Sequence, residues 1–167
     1  ISFLTAVAMT LHLVESMLPP LPVPGAKIGL ANVATLVALR FVGFWPAVAV
    51  AAIRSTLGSA LAGKFLGLGF WMSFVGATAS ALVMGLGLCL TPRGSSAVWA
   101  SLAGATAHAS VQMAIAIRAL GQPTLLAAFP FMLGLSLITG VFIGLVCDGL
   151  DKPLRRFMVN RERRGKR

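Results

Sequence analysis

Acidic side chains are nearly missing from this chain. Four of its 167 residues are Asp or Glu, and Glu15 is the only one before Asp148. Paired carboxylates at a working depth are therefore absent, and with them the usual means of acid–base or Mg²⁺-dependent chemistry. Asp148-Gly149-Leu150-Asp151 lacks the DDxxD spacing that holds Mg²⁺ for prenyl diphosphate chemistry, and no HExxH, P-loop or GxSxG occurs. Without a nucleotide-binding motif the chain cannot use ATP itself, so any pumping is driven by a partner or a gradient. Charge of both signs is also scarce: 11% of residues are charged, where a soluble domain carries about 25%. Cysteine is limited to Cys89 and Cys147, one at the end of each of two expected spans. They are too isolated for a metal motif, and on the side read below as cytoplasmic they are packing residues rather than a disulfide. No metal, cofactor or catalytic residue is expected.

What remains is apolar. Hydrophobic residues make up 57% of the chain and the mean hydropathy is +0.91, values of an integral membrane protein. A bilayer core takes about 20 apolar residues per helix, which places spans at 1–18, 29–43 (short), 46–62, 70–90, 98–119 and 125–149. The expected fold is an all-α bundle of six transmembrane helices over 1–149, followed by a basic cytoplasmic tail at 150–167. The chain begins at Ile1 rather than at a methionine, which suggests that its true start is missing. Residues 1–18 have no basic n-region and no small-x-small cleavage site after them, so they read as a first span and not as a signal peptide. The net charge of +10 resembles a nucleic-acid signal until it is located. Lys152, Arg155, Arg156, Arg161, Arg163, Arg164, Lys166 and Arg167 crowd the end of the chain, with no aromatic interleaving. That is a topogenic, lipid-facing tail and not a nucleic-acid surface. It puts both termini in the cytoplasm, with Arg40 and Arg93 also inside and Lys27, Lys64 and Arg118 outside.

Residues 17–39 interrupt the apolar pattern. Pro19, Pro20, Pro22 and Pro24 cannot continue a helix, and irregular backbone must lie in water or line a cavity. Two readings stay open: a connector that merely joins two spans, or an apolar-sided loop over residues 17–28 that closes over a solute. Ionisable groups inside spans mark a pathway, a binding site or a pair. Here they are His12 and Glu15 in the first span, Arg54 in the third, His108 with Gln112 in the fifth, and Arg118 at its end. One carboxylate cannot balance Lys27, Arg54, Lys64 and Arg118, so the outer half is net positive and attracts an anion. Arg54 is open to an ion pair with Glu15, to ligand contact or to snorkelling, and the two histidines read more readily as core residues than as ligand contacts. The candidate binding residues are Lys27, Asn32, Arg54, Glu15, Gln112 and Arg118, with the helix start near Gly29 as a donor end. Gly58-x-x-x-Ala62, Gly76-x-x-x-Ser80 and Gly140-x-x-x-Gly144 read as close helix packing within the bundle or as a face for a partner protein.

The run Leu21-Pro22-Val23-Pro24-Gly25-Ala26-Lys27-Ile28-Gly29-Leu30-Ala31-Asn32, with Leu36, Ala38-Leu39, Gly43-Phe44, Arg54 and Gly58, resembles the bacterial Gx transporter family, also labelled heptaprenyl diphosphate synthase component I. More distantly the plan is similar to the vitamin-binding S components of energy-coupling factor transporters. That resemblance implies a multi-pass protein of the bacterial cytoplasmic membrane that captures a vitamin-, flavin- or isoprenoid-related solute from outside. Its partner would be a membrane scaffold with ATPase subunits. The scaffold contact in that group is an Ala-x-x-x-Ala pattern in the first helix, of which Ala6-x-x-x-Thr10 is a partial version. The label also leaves room for a non-transporting subunit that organises a complex linked to isoprenoid or quinone metabolism.

Overall fold

A computed structural model describes residues 2–17, 27, 29–92 and 96–165; for 2, 3, 16, 152 and 154–165 it describes the backbone alone. The four prolines of the expected lid, Arg93, Lys166 and Arg167 lie outside the described residues. Six α-helices follow one another: α1 (Ser2–Met17), α2 (Asn32–Phe41), α3 (Phe44–Leu61), α4 (Leu68–Leu90), α5 (Val98–Leu120) and α6 (Phe129–Gly165), with a 3-10 turn at Pro123–Ala128 before the last. No strand occurs among the described residues. Four segments, Phe44–Leu61, Leu68–Leu90, Val98–Leu120 and Pro123–Asp151, are long and apolar enough to cross a membrane, whereas α1 and α2 are shorter apolar helices.

Local chemistry sets the helix ends. Gly43 ends the turn after α2 at φ 131, a region open to glycine, and Pro46 then falls in the first turn of α3, where its missing N–H costs no hydrogen bond. Gly121 closes α5 in the left-handed conformation with its N–H on the Ile117 carbonyl. The sixth expected span began at 125. The structure instead gives residues 123–128 to a 3-10 turn and carries the α6 backbone on through Pro153 to Gly165.

Helix α2 is the centre of the bundle, in contact with α1, α3, α4 and α6, while α3, α4, α5 and α6 pack in sequence around it. Its ten residues span about 15 Å, half the thickness of a bilayer core. The interior is built from small residues and the outside from large ones. Ala8, Ala31, Ala38, Ala47, Ala51, Ala81 and Ala109 are fully buried, whereas Leu86, Leu90, Ile138, Phe142 and Leu145 face outward. This reverses the soluble pattern and suits helices that pack by close backbone approach within lipid. Trp45 and Trp99, at the starts of α3 and α5, are 75% and 72% exposed, in keeping with an interfacial belt at that end.

Gly144 of α6 shows how tight the packing is. A Cβ there would lie 2.5 Å from Cα and 2.9 Å from the backbone N of Val98, atoms that cannot move aside without shifting α5. Gly144→Ala is expected to destabilise the bundle by about 1–3 kcal/mol. Gly134→Ala, with nothing within 4 Å of the new Cβ, is the control and should leave the unfolding temperature in detergent unchanged.

Candidate functional site

A polar layer divides the apolar interior. Toward one end Met72, Met113, Ala116 and Met132 form a cluster; toward the other Leu36, Val37, Met84, Ala97, Ile143 and Cys147 form another. Between them lie Arg54 near the middle of α3, Gly76 and Ser80 near the middle of α4, and His108 and Gln112 near the middle of α5. Because α2 is only half a span long, its first residue, Asn32, starts at this same depth. Short helices whose ends meet at mid-depth are how membrane proteins bring backbone and polar groups to an internal site.

The connection into α2 is tied across the layer at four points. Glu15 Oε1 accepts the backbone N–H groups of Gly29 and of Leu30, the latter at 3.3 Å. The Lys27 N–H donates to Gln112 Oε1 at 3.3 Å, and Lys27 Nζ lies 2.8 Å from His12 Nε2. Lys27 thus bridges α1 and α5. Arg54, 2% exposed, donates from Nη2 to Asn32 Oδ1 at 2.6 Å, and Asn32 Nδ2 donates to Ser80 Oγ at 3.3 Å. Glycines let the rings in: a Cβ on Gly58 would meet His12 Cδ2 at 2.5 Å, and one on Gly76 would meet His108 Nδ1 at 3.1 Å.

The layer has more donors than acceptors. Arg54 Nε and Gln112 Nε2 are buried with no hydrogen-bond partner among the described residues, and the buried His108 ring has only the Gly76 backbone. Arg54 and Lys27 bring two positive charges against the one negative charge of Glu15. Burial pushes the Lys27 ammonium, in the connection between helices, down to about 8; Arg54 and Lys64 add to that, and Glu15 opposes it. Leaving a buried donor unpaired costs about 1–3 kcal/mol, more for a charged group. What this arrangement can do is hold acceptor oxygens that carry negative charge.

Of the six residues singled out from the sequence, Glu15, Lys27, Asn32, Arg54 and Gln112 come together here. Arg118 does not: it is exposed in the last turn of α5, about 9 Å of helix rise beyond Gln112. The Glu15–Arg54 ion pair is not among the ion pairs of the described residues, which are Arg40–Asp148 and Arg40–Asp151. The donor end near Gly29 is also taken, since Glu15 already occupies it. Sequence reasoning missed Ser80 as a partner of Asn32 and treated His12 and His108 as core residues. The signal for Ser80 was present in Gly76-x-x-x-Ser80, where the glycine admits His108 and the serine faces Asn32. Asp148 and Asp151 lie at the far end of α2, beside Arg40. Asp148 accepts from Ser96 Oγ at 2.6 Å and from the Ala97 N–H at 2.8 Å, which ties the start of α5 to α6.

Comparison with known proteins bears out the first resemblance read from the sequence, to the heptaprenyl diphosphate synthase component I family, and does not show the second, to the S components of energy-coupling factor transporters. The family model described as heptaprenyl diphosphate synthase component I matches residues 4–150, so the chain belongs to that family. No curated protein and no solved structure matches it.

Proposed function

We propose that this member of the heptaprenyl diphosphate synthase component I family is the solute-binding membrane subunit of a micronutrient transporter. The chain crosses the bacterial cytoplasmic membrane with both ends inside, α2 supplying the inner half of one crossing, and a small anionic or amphipathic solute enters the polar layer from outside. The observation that carries the reading is the buried, donor-rich layer around Arg54, two cations against one carboxylate, with Arg54 Nε left without an acceptor. A carboxylate or phosphate oxygen completes it, and Lys27 supplies the second charge. Uptake is powered by a partner with ATPase subunits. The carboxylates whose side chains are described are engaged within the chain: Glu15 with Gly29 and Leu30, Asp148 and Asp151 with Arg40.

One observation favours a second reading: the family is described as one component of a synthase, which suggests a non-catalytic membrane subunit of a larger complex. The two separate on anion binding by the purified chain in lipid nanodiscs. The transporter reading predicts that millimolar carboxylates or phosphates raise the unfolding temperature, because a ligand that binds the native state stabilises it. The complex reading predicts no shift and stable co-purification with other chains. Binding should also weaken as pH rises through about 8, where Lys27 loses its proton. Below that pH the ammonium is charged and the anion is held; above it that attraction is gone. Lys27→Arg is expected to flatten the profile, and an unchanged slope in that variant would remove Lys27 from the site.

A further inference from the structure

Besides its cations, the layer holds two polar groups on α5 that the described residues leave partly unpaired. Gln112 is fully buried; its Oε1 already accepts the Lys27 N–H, and its Nε2 has no partner. His108 lies one turn earlier on the same face, buried, with one side of its ring on the Gly76 backbone and the other without a partner among the described residues. His108 Nε2 and Asn32 Nδ2 lie 3.8 Å and 3.1 Å from one point, the Cβ position on Gly29, so this pair adjoins the amide that holds Arg54. Buried polar side chains are nearly always satisfied. Two adjacent exceptions beside an unsatisfied guanidinium point to a ligand that offers more than charge.

We propose that the solute is bipartite: an acid group held by Arg54 and Lys27, joined to a neutral heterocyclic or amide edge that Gln112 and His108 read. This rests on the reading of the layer as an anion site and narrows it. The one free atom of Gln112 is a donor, so the edge carries a carbonyl or ring-nitrogen acceptor opposite it. A neutral imidazole offers one donor and one acceptor; its donor goes to the Gly76 backbone, so the edge carries a donor opposite His108. A hydrocarbon-tailed acid such as an isoprenyl phosphate satisfies Arg54 but leaves Gln112 and His108 unpaired, and a site built to hydrogen-bond a group rejects analogues that lack it. The solute class is therefore a heterocyclic acid.

Calorimetric titration of the full chain in nanodiscs tests this with three probes. Orotate and nicotinate carry an acid on a ring with hydrogen-bonding atoms; benzoate carries the same acid on a hydrocarbon ring. The wild-type chain is expected to bind at least one heterocyclic acid about tenfold or more tighter than benzoate, the effect of pairing one buried donor. Gln112→Met should bring that ratio to within about twofold; it also releases the Lys27 N–H, a loss common to all three acids that cancels in the ratio. Equal wild-type affinities for all three probes overturn the inference without any variant, and so does a ratio that survives Gln112→Met. Either result leaves the anion-site reading standing if Arg54→Gln still weakens all three probes. Binding that ignores Arg54, or no binding of any probe, defeats that reading and the inference together.

Discussion

Arg54→Gln is expected to lower the affinity of the chain for small carboxylate and phosphate anions by about 100- to 1000-fold, the effect of truncating one partner of a buried, hydrogen-bonded charge pair. The guanidinium is 2% exposed, so a bound anion has little water between it and the charge. Arg54 Nη2 is fixed by Asn32 Oδ1 at 2.6 Å, which orients the group and leaves Nε for the ligand. Glutamine keeps a donor for Asn32 and removes the charge, so the fold should survive with its thermal unfolding little changed. Arg54→Lys is expected to recover a minor part of the affinity, because an ammonium restores the charge but not the forked geometry. A glutamine variant that binds anions as tightly as wild type would show that Arg54 is only a structural residue.

The second large effect falls on stability instead. Glu15→Ala is expected to cost about 3–5 kcal/mol, as removal of one side of a buried, charge-bearing contact does. The carboxylate takes the backbone N–H groups of Gly29 and Leu30 and is the only negative charge beside Lys27 and Arg54. Its loss strands two donors and leaves the two cations uncompensated, and it frees the connection that starts α2 at mid-depth. Glu15→Gln keeps an acceptor oxygen and should cost roughly half as much. Thermal unfolding in one detergent compares the three chains. An alanine variant as stable as wild type would mean that the strap at residues 27–30 is held by Lys27 and Gln112 alone.

These two residues also show what the sequence could and could not reveal. Helices α3, α4 and α5 were readable almost to the residue, because each is an apolar run bounded by glycine, proline or a polar turn: Gly43 and Pro46, Gly63 and Gly67, Thr91 and Pro92, Gly121. The gathering of Glu15, Asn32, Arg54 and Gln112 was readable for the related reason that polar groups stand out in apolar runs. Their partners were not. Glu15 and Arg54 look like a salt bridge on charge alone, yet the carboxylate binds backbone N–H groups, which every residue but proline carries and no sequence pattern marks. Arg118 looked like a site residue for its charge, but its place in the final turn of α5 carries it outward, past the polar layer. Ser80 and Gly76 were hidden in a small-residue pattern that reads equally well as packing.

The account depends on one claim, that the charge imbalance of the buried layer is completed by an anion from outside the chain. Its most direct measurement is mass spectrometry of small molecules released on denaturing the chain purified from membranes, wild type beside Arg54→Gln. The account predicts an anionic compound of low mass in near-stoichiometric amount with wild type and lost from the variant. Identical extracts from the two, or none from either across gentle detergents, would contradict it.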